Sequence, residues 1–134
     1  MSVEYFDPND PEAGFQVNAG IRIAGEASRV DSESMKKSFR LYFRDEYGPG
    51  KLNYPLFPDS PVAEFDKLQL RAHFGDGWTV PREHPKDSSF VRDMWTRRSA
   101  LEMGLPAPEG NDVHLYINGL YWGIYNPSER PDEN

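Results

Sequence analysis

Apolar and polar residues alternate along several short stretches of the chain, at the two-residue period of strands with one buried face. Residues 2–6 read as a short strand, and Asp7-Pro8-Asn9-Asp10-Pro11 as the turn that ends it, because proline fixes φ and Asp and Asn bond to nearby backbone. From Val17 to Ala24 the alternation is regular: Val17, Ala19, Ile21 and Ile23 share one face, Asn18, Gly20, Arg22 and Ala24 the other. Lys36 to Arg44 repeats it, with Phe39, Leu41 and Phe43 inward and Ser38, Arg40, Tyr42 and Arg44 outward. Leu68, Leu70 and Ala72 mark a further strand, with Lys67, Gln69 and Arg71 facing away. The segments between are loops: polar 25–34, a long Pro- and Gly-rich connection over 45–63, and 73–86 around Gly75-Asp76-Gly77-Trp78.

One stretch changes period. Phe90, Val91, Met94, Trp95 and Leu101 fall on an arc of about 140° at roughly 100° per residue, which predicts a helix over 89–103. Asp87, Ser88 or Ser89 supplies the cap, and Gly104 followed by Pro106 and Pro108 supplies the stop. Arg98 falls near the centre of the apolar arc, where an i,i+4 pair with Glu102 would accommodate it. Beyond it, Asn118-Gly119 is a strong hairpin signal, since a type I′ turn needs φ > 0 at both central positions. Counting outward pairs Ile117 with Leu120, Leu115 with Trp122 and Val113 with Ile124, placing six apolar residues on one face. Strands with a single main helix predict an α+β fold, a mostly antiparallel twisted sheet with that helix packed on it.

The chain has 134 residues, enough for a single domain spanning 1–134. It has no cysteine, which excludes a disulfide scaffold, a cysteine-held zinc and a thiol nucleophile. Its 22 acidic and 15 basic side chains give a net charge of -7, the wrong sign for a general nucleic-acid surface. No apolar run approaches a membrane span, and the first residues lack the basic and apolar regions of a signal peptide.

Several catalytic signatures are absent: no Gly-x-Gly-x-x-Gly, Walker A, His-Glu-x-x-His or Gly-x-Ser-x-Gly occurs. His73, His84 and His114 have no ligand spacing, so no metal site is expected. What remains is Gly25-Glu26-Ala27-Ser28-Arg29 followed by Lys36-Lys37. A small-residue loop between two strands lets backbone N–H groups, a hydroxyl and a guanidinium converge on an anion. Lys37 has the parity of Phe39 and so points to the buried face, whereas Lys36 and Arg40 face solvent. A lysine on a buried face needs a carboxylate, a phosphate or a route to the rim. Asp93, at the flank of the predicted helix, is one carboxylate able to reach it.

These residues resemble the CotH family of spore-coat protein kinases. The resemblance runs in order through Gly20–Arg29, Lys36–Leu41, Lys51–Phe57, Phe65–Ala72, Val91–Asp93, Gly104–Pro108, the hairpin His114–Asn126 and Glu129–Asp132. The Asn-Gly-x-Tyr-Trp-Gly-x-Tyr hairpin is its most specific part. The family departs from this chain at Ala24, often Arg, and at Glu26, often Asn or Gly. The resemblance implies the amino-terminal lobe of a two-lobed protein-kinase-like fold that uses ATP and a divalent metal such as Mg²⁺. It implies a phosphate-covering loop over 25–35 with Gly25, Ser28 and Arg29, and Lys37 as the nucleotide lysine. It further implies Asp93 or Glu102 as the helix acid, and a hinge over Tyr125–Glu129 with Asn126 and Glu129 beside the adenine. The family's metal-binding aspartates lie in a second lobe, after the hinge. The chain is therefore expected to be a lobe whose catalytic partner lobe is missing, inactive alone, with no catalytic residue of its own. Its parent would phosphorylate protein Ser or Thr at a cell surface, outside the cell or in a spore coat. Two other readings stay open: a non-catalytic coat-assembly or adhesion module, and a carbohydrate-binding domain using Trp78, Trp122 and the tyrosines.

Overall fold

The computed structural model describes residues 1–30, 34–77 and 87–129. The strands are β1 (Ser2–Asp7), β2 (Asp10–Asn18), β3 (Gly20–Ala24), β4 (Ser38–Tyr42), two-residue β5 (Leu52–Asn53) and β6 (Glu64–Phe65), and β7 (Lys67–Arg71); β2 begins within the expected Asp7–Pro11 turn, and β5 lies in a connection expected to be loop. One helix, α1 (Arg92–Glu102), follows, then β8 (Val113–Ile117) and β9 (Leu120–Ser128). A five-stranded antiparallel sheet in the order β3-β4-β7-β9-β8 forms the body, with β1–β2 and β5–β6 as separate two-stranded pairs. The class is α+β, as expected. Among the described residues no helix is long and apolar enough to cross a membrane.

Register sorts the side chains of the large sheet onto two faces. Phe39 opposite Leu70 and Leu41 opposite Leu68 put one apolar row together, and Leu70 opposite Pro127 extends it into β9 beside Tyr125. Leu41, Phe43, Leu68, Leu70, Ala72 and Tyr125 pack there with Val17, Ala19, Leu52, Leu56, Phe57 and Phe65 into one buried cluster. Phe39 stacks on Tyr125 at 5.9 Å, and Phe57 meets Phe65 edge-on at 5.6 Å. The connection over 45–63 thus contributes core residues. Tyr5, Phe15 and Tyr54 form an aromatic trio that joins the β1–β2 hairpin to it. The opposite face carries Arg40, Gln69, Arg71, Asn126 and Ser128.

Several expectations are corrected. Val17–Ala24 is not one strand. Buried Ala19 separates β2 from β3, and its backbone exchanges two bonds of 2.9 Å with Met1. As an edge strand, β3 leaves Ile21 and Ile23 exposed. The hairpin turns at Asn118 and Gly119, both at positive φ, and pairs Ile117 with Leu120 as predicted. A β-bulge then puts Tyr116 opposite Tyr121, Leu115 opposite Gly123 and Val113 opposite Tyr125. The extra residue reverses the parity of β9, so buried Tyr125 joins the Val113 face while Trp122 and Ile124 are exposed.

The helix begins at Arg92 rather than 89, because Phe90 sits at φ 63, outside any helical conformation. It ends as expected at Gly104 (φ 75), whose N–H bonds the Leu101 carbonyl. It has no buried residue, and Trp95 is 70% exposed. The face it rests on is the polar one, so Asp93 and Arg97 turn inward, while Val91 and Trp95 of the apolar arc are exposed and Met94 and Leu101 are only half-buried. Arg98 pairs with Asp59 rather than Glu102, both ends open to solvent, which makes the contact energetically minor.

Candidate functional site

The loop between β3 and β4 is built by its small residues. Gly25 has φ 107, and a Cβ there would stand 2.0 Å from the Ser28 hydroxyl, so only glycine fits. A single 3-10 turn, Ala27–Arg29, follows. Buried Ser28 packs against this turn's entry. The two lysines at the loop's end have different tasks. Lys37 donates from Nζ to the Ser34 carbonyl at 2.5 Å and the Arg29 carbonyl at 3.2 Å, knitting the loop to itself. Lys36 donates to the Ile124 carbonyl and lies 4.4 Å from the Tyr125 ring centroid. Burial pushes its ammonium below the ordinary 10.5, and the nearby Asp112 carboxylate opposes this. Lys36 is thus the lysine against the aromatic core, reversing the expected assignment of the two. The Tyr125 phenol donates to the Lys37 carbonyl at 2.8 Å, and burial raises its pKa to about 12.

The polar sheet face and the helix meet through ions. Arg71 on β7 pairs with Asp93 at 3.1 Å, and Asp93 also pairs with Arg97 one helical turn on at 3.0 Å. Asp93 is therefore paired with Arg71 and Arg97 rather than with Lys37. Arg97 donates to the Asn126 side chain, whose amide nitrogen donates to the Asn111 carbonyl at 2.6 Å and the Asp112 carboxylate at 3.3 Å. Burial lowers the Arg97 pKa, and Asp93 opposes that shift. Arg40 Nε and Arg97 Nε are buried without a hydrogen-bond partner among the described residues, and His73 Nε2 makes no hydrogen bond but lies 3.4 Å from the Asp112 carboxylate.

A cleft of about 540 Å³ opens between the turn at Gly25–Ser28, the ends of β4 and β7, and the start of α1. Gly25, Ser28 and Asp93, named from the sequence, line it together with Gln69, Arg71 and Asp76, which were not. Arg29 and Lys37 do not line it: the Lys37 ammonium and the Arg29 backbone are tied into the loop. Asn126 is a structural tie between helix and sheet, and Glu129 accepts from the Ser60 hydroxyl at 3.2 Å. The one signal for Arg71 was its parity, opposite to Leu70. Among the described residues no group of three or more His, Asp or Glu side chains is placed to hold a metal ion. Trp78 and His84 lie outside the described residues. On the hairpin, Tyr116 and Tyr121 are exposed with rings tilted 48° to each other, so they do not form a flat stacking platform.

A family model described as CotH kinase protein matches residues 21–134. The chain belongs to the CotH kinase family. The match runs from Ile21 in β3 through β9, and so contains the five-stranded sheet but for Gly20, with the helix and the cleft of this CotH chain. No curated protein and no solved structure matches the chain significantly.

Proposed function

We propose that this CotH chain is a nucleotide-binding, kinase-like amino-terminal lobe, with the cleft beside Arg71 and Asp93 as its phosphate site. The observation that carries the reading is that ion pair. In protein kinases a cation on the third sheet strand pairs with an acid on the lobe's single helix and contacts the nucleotide phosphates. Here Arg71 lies on the third strand of the large sheet, and Asp93 on the helix between that strand and the last hairpin. This moves the nucleotide cation from Lys37 to Arg71. A guanidinium grips phosphate oxygens with two parallel N–H donors, where an ammonium acts as a point charge.

ATP fits the residues present: a cation, the tight Gly25 turn, and the hydroxyl of Ser28. A divalent metal, when bound, would neutralise charge on the phosphates, and its ligands are assigned to the aspartates of a second lobe. That lobe, a Ser or Thr protein acceptor, and a spore-coat or surface location are parts of the same reading. Within it, this chain's residues bind and orient the nucleotide rather than transfer the phosphoryl group.

The test is binding of a non-hydrolysable ATP analogue by calorimetry. Losing a charge-assisted phosphate contact of about 1.5–3 kcal/mol weakens binding about tenfold to a hundredfold in Arg71→Ala. Lys37→Ala changes it less than about threefold. Loss in Lys37→Ala with Arg71→Ala unaffected would return the role to the loop lysine. Under the alternative of a coat or adhesion module, the exposed Leu120, Tyr121 and Trp122 of the hairpin would bind a partner, indifferent to Arg71.

A further inference from the structure

The helix that carries Asp93 has few of the usual means of attachment. It buries no residue, and its N-cap, Val91, makes no side-chain cap bond. The orphan N–H groups of a helix start need acceptors from somewhere. They find one in Asp76, on the loop that leaves β7 five positions after Arg71. Asp76 Oδ1 accepts from the Ser89 N–H at 2.9 Å and lies 3.3 Å from the Arg92 guanidinium. Its Oδ2 accepts from the Ser89 hydroxyl at 2.8 Å and from the Arg92 N–H at 3.1 Å. Its backbone carbonyl takes the Phe90 N–H at 3.3 Å. Arg92 opens the helix and Asp93 is the next residue.

The carboxylate is buried, 7% exposed, and every group it meets is a donor. Burial alone would raise its pKa, but the Ser89 and Arg92 bonds outweigh it and hold the pKa below 3.8. Phe90, at φ 63, is a bulky residue in a region such residues rarely adopt. The chain accepts this conformation just where the Asp76 carbonyl and the His73 ring, 5.3 Å from the Phe90 ring, hold it.

We propose that Asp76 is a positioning residue: its carboxylate fixes where α1 begins, and thereby the Arg71–Asp93 pair that the cleft needs. The strand that carries the cation also carries, on its outgoing loop, the anion that places the cation's partner. The consequence for nucleotide affinity rests on the reading given above; the consequence for the ion pair does not.

The experiment uses the whole chain and the variants Asp76→Asn, Asp93→Asn and their double, with Arg98→Ala as a surface control. The nucleotide-free readout is the NMR signal of the Arg71 Nε–H. In Asp76→Asn it moves toward its position in Asp93→Asn, while Arg98→Ala leaves it in place. The second readout is affinity for the ATP analogue. Asp76→Asn weakens it about tenfold, and the double variant is within about threefold of Asp93→Asn alone, because the two act through one contact. An Arg71 signal unmoved in a folded but less stable Asp76→Asn reduces the residue to a stability role and overturns the proposal. Should Asp76→Asn not fold, Ser89→Ala removes one bond of the cap and moves the signal the same way by less; no movement overturns the proposal. If the unaltered chain binds no nucleotide, the nucleotide reading fails, and the Arg71 signal alone still decides the role of Asp76.

Discussion

On one face of the five-stranded sheet, Leu41, Phe43, Leu68, Leu70 and Tyr125 close against Phe57, Phe65 and the amino-terminal segment. On the other, Arg71 and Asn126 meet a helix that buries nothing and is held by Asp93, Arg97 and the Asp76 cap. The apolar face stabilises through area, and its contacts are interchangeable within limits of volume. The polar face contributes little net energy, since each ion bond is offset by the desolvation of its partners. What it contributes is position, because those contacts are directional. A sheet can thus separate the two tasks, one per face, with successive residues of a strand serving alternate ones: Tyr125 one, Asn126 the other.

The sharpest way to break this comparison is to cut both faces equally deeply. Phe57→Ala removes a ring that is 1% exposed and should cost about 3–5 kcal/mol by urea denaturation. A loss below about 1 kcal/mol would mean that this side is not the energetic one. Arg97→Ala on the polar face should cost less, about 1–3 kcal/mol, mostly because Asn126 loses its donor. Its larger effect should be on the helix amides, seen as faster hydrogen exchange over Arg92–Glu102.

Titration separates the faces in another way. The folded pKa of Tyr125, about 12, lies above its ordinary 10.0. The stability this provides is complete below pH 10 and is lost as pH rises from 10 toward 12. Denaturation midpoints measured across that range should fall, and Tyr125→Phe should remove that part of the slope. Asp76 works in the opposite direction. Its folded pKa is depressed, so its contribution is complete above about pH 4 and is lost as pH falls through the folded value. The smallest effect belongs to Trp95→Ala. With the side chain 70% exposed, stability should stay within about 0.5 kcal/mol of the unaltered chain.

The apolar face was largely legible in the sequence, because period-two alternation is a direct image of one-sided burial. It placed Phe39, Leu41, Phe43, Leu68, Leu70 and Ala72 on one face; register confirms four of them, and burial in the core the other two, Phe43 and Ala72. The hairpin turn at Asn118-Gly119 was legible for the same local reason; its bulge was not, since no residue type announces an extra unpaired position. The helix arc misled because it assumes that the surface met by a helix is apolar. The polar partners, Arg71 with Asp93 and Asp76 with Ser89, were invisible because they lie far apart in the chain and have no shared period. Of the seven residues singled out from the sequence, Gly25, Ser28 and Asp93 line the cleft. The parity of Lys37 marks it as facing the core side, but parity says nothing of the carbonyls of its own loop, which hold its ammonium.

The bond from the Tyr125 phenol to the Lys37 carbonyl joins residues 88 positions apart. The β1–β2 hairpin, by contrast, closes through Gln16 to Ser2 and Glu4, 14 and 12 positions apart. Loop-closure entropy makes long-range pairings the slow ones. On a growing chain the first hairpin can form almost at once, but the loop that borders the cleft must wait for β9. The residues that line the cleft all precede the hairpin, so a chain stalled before it would carry the cleft's ion pair and cap but lack the tie that fixes the bordering loop.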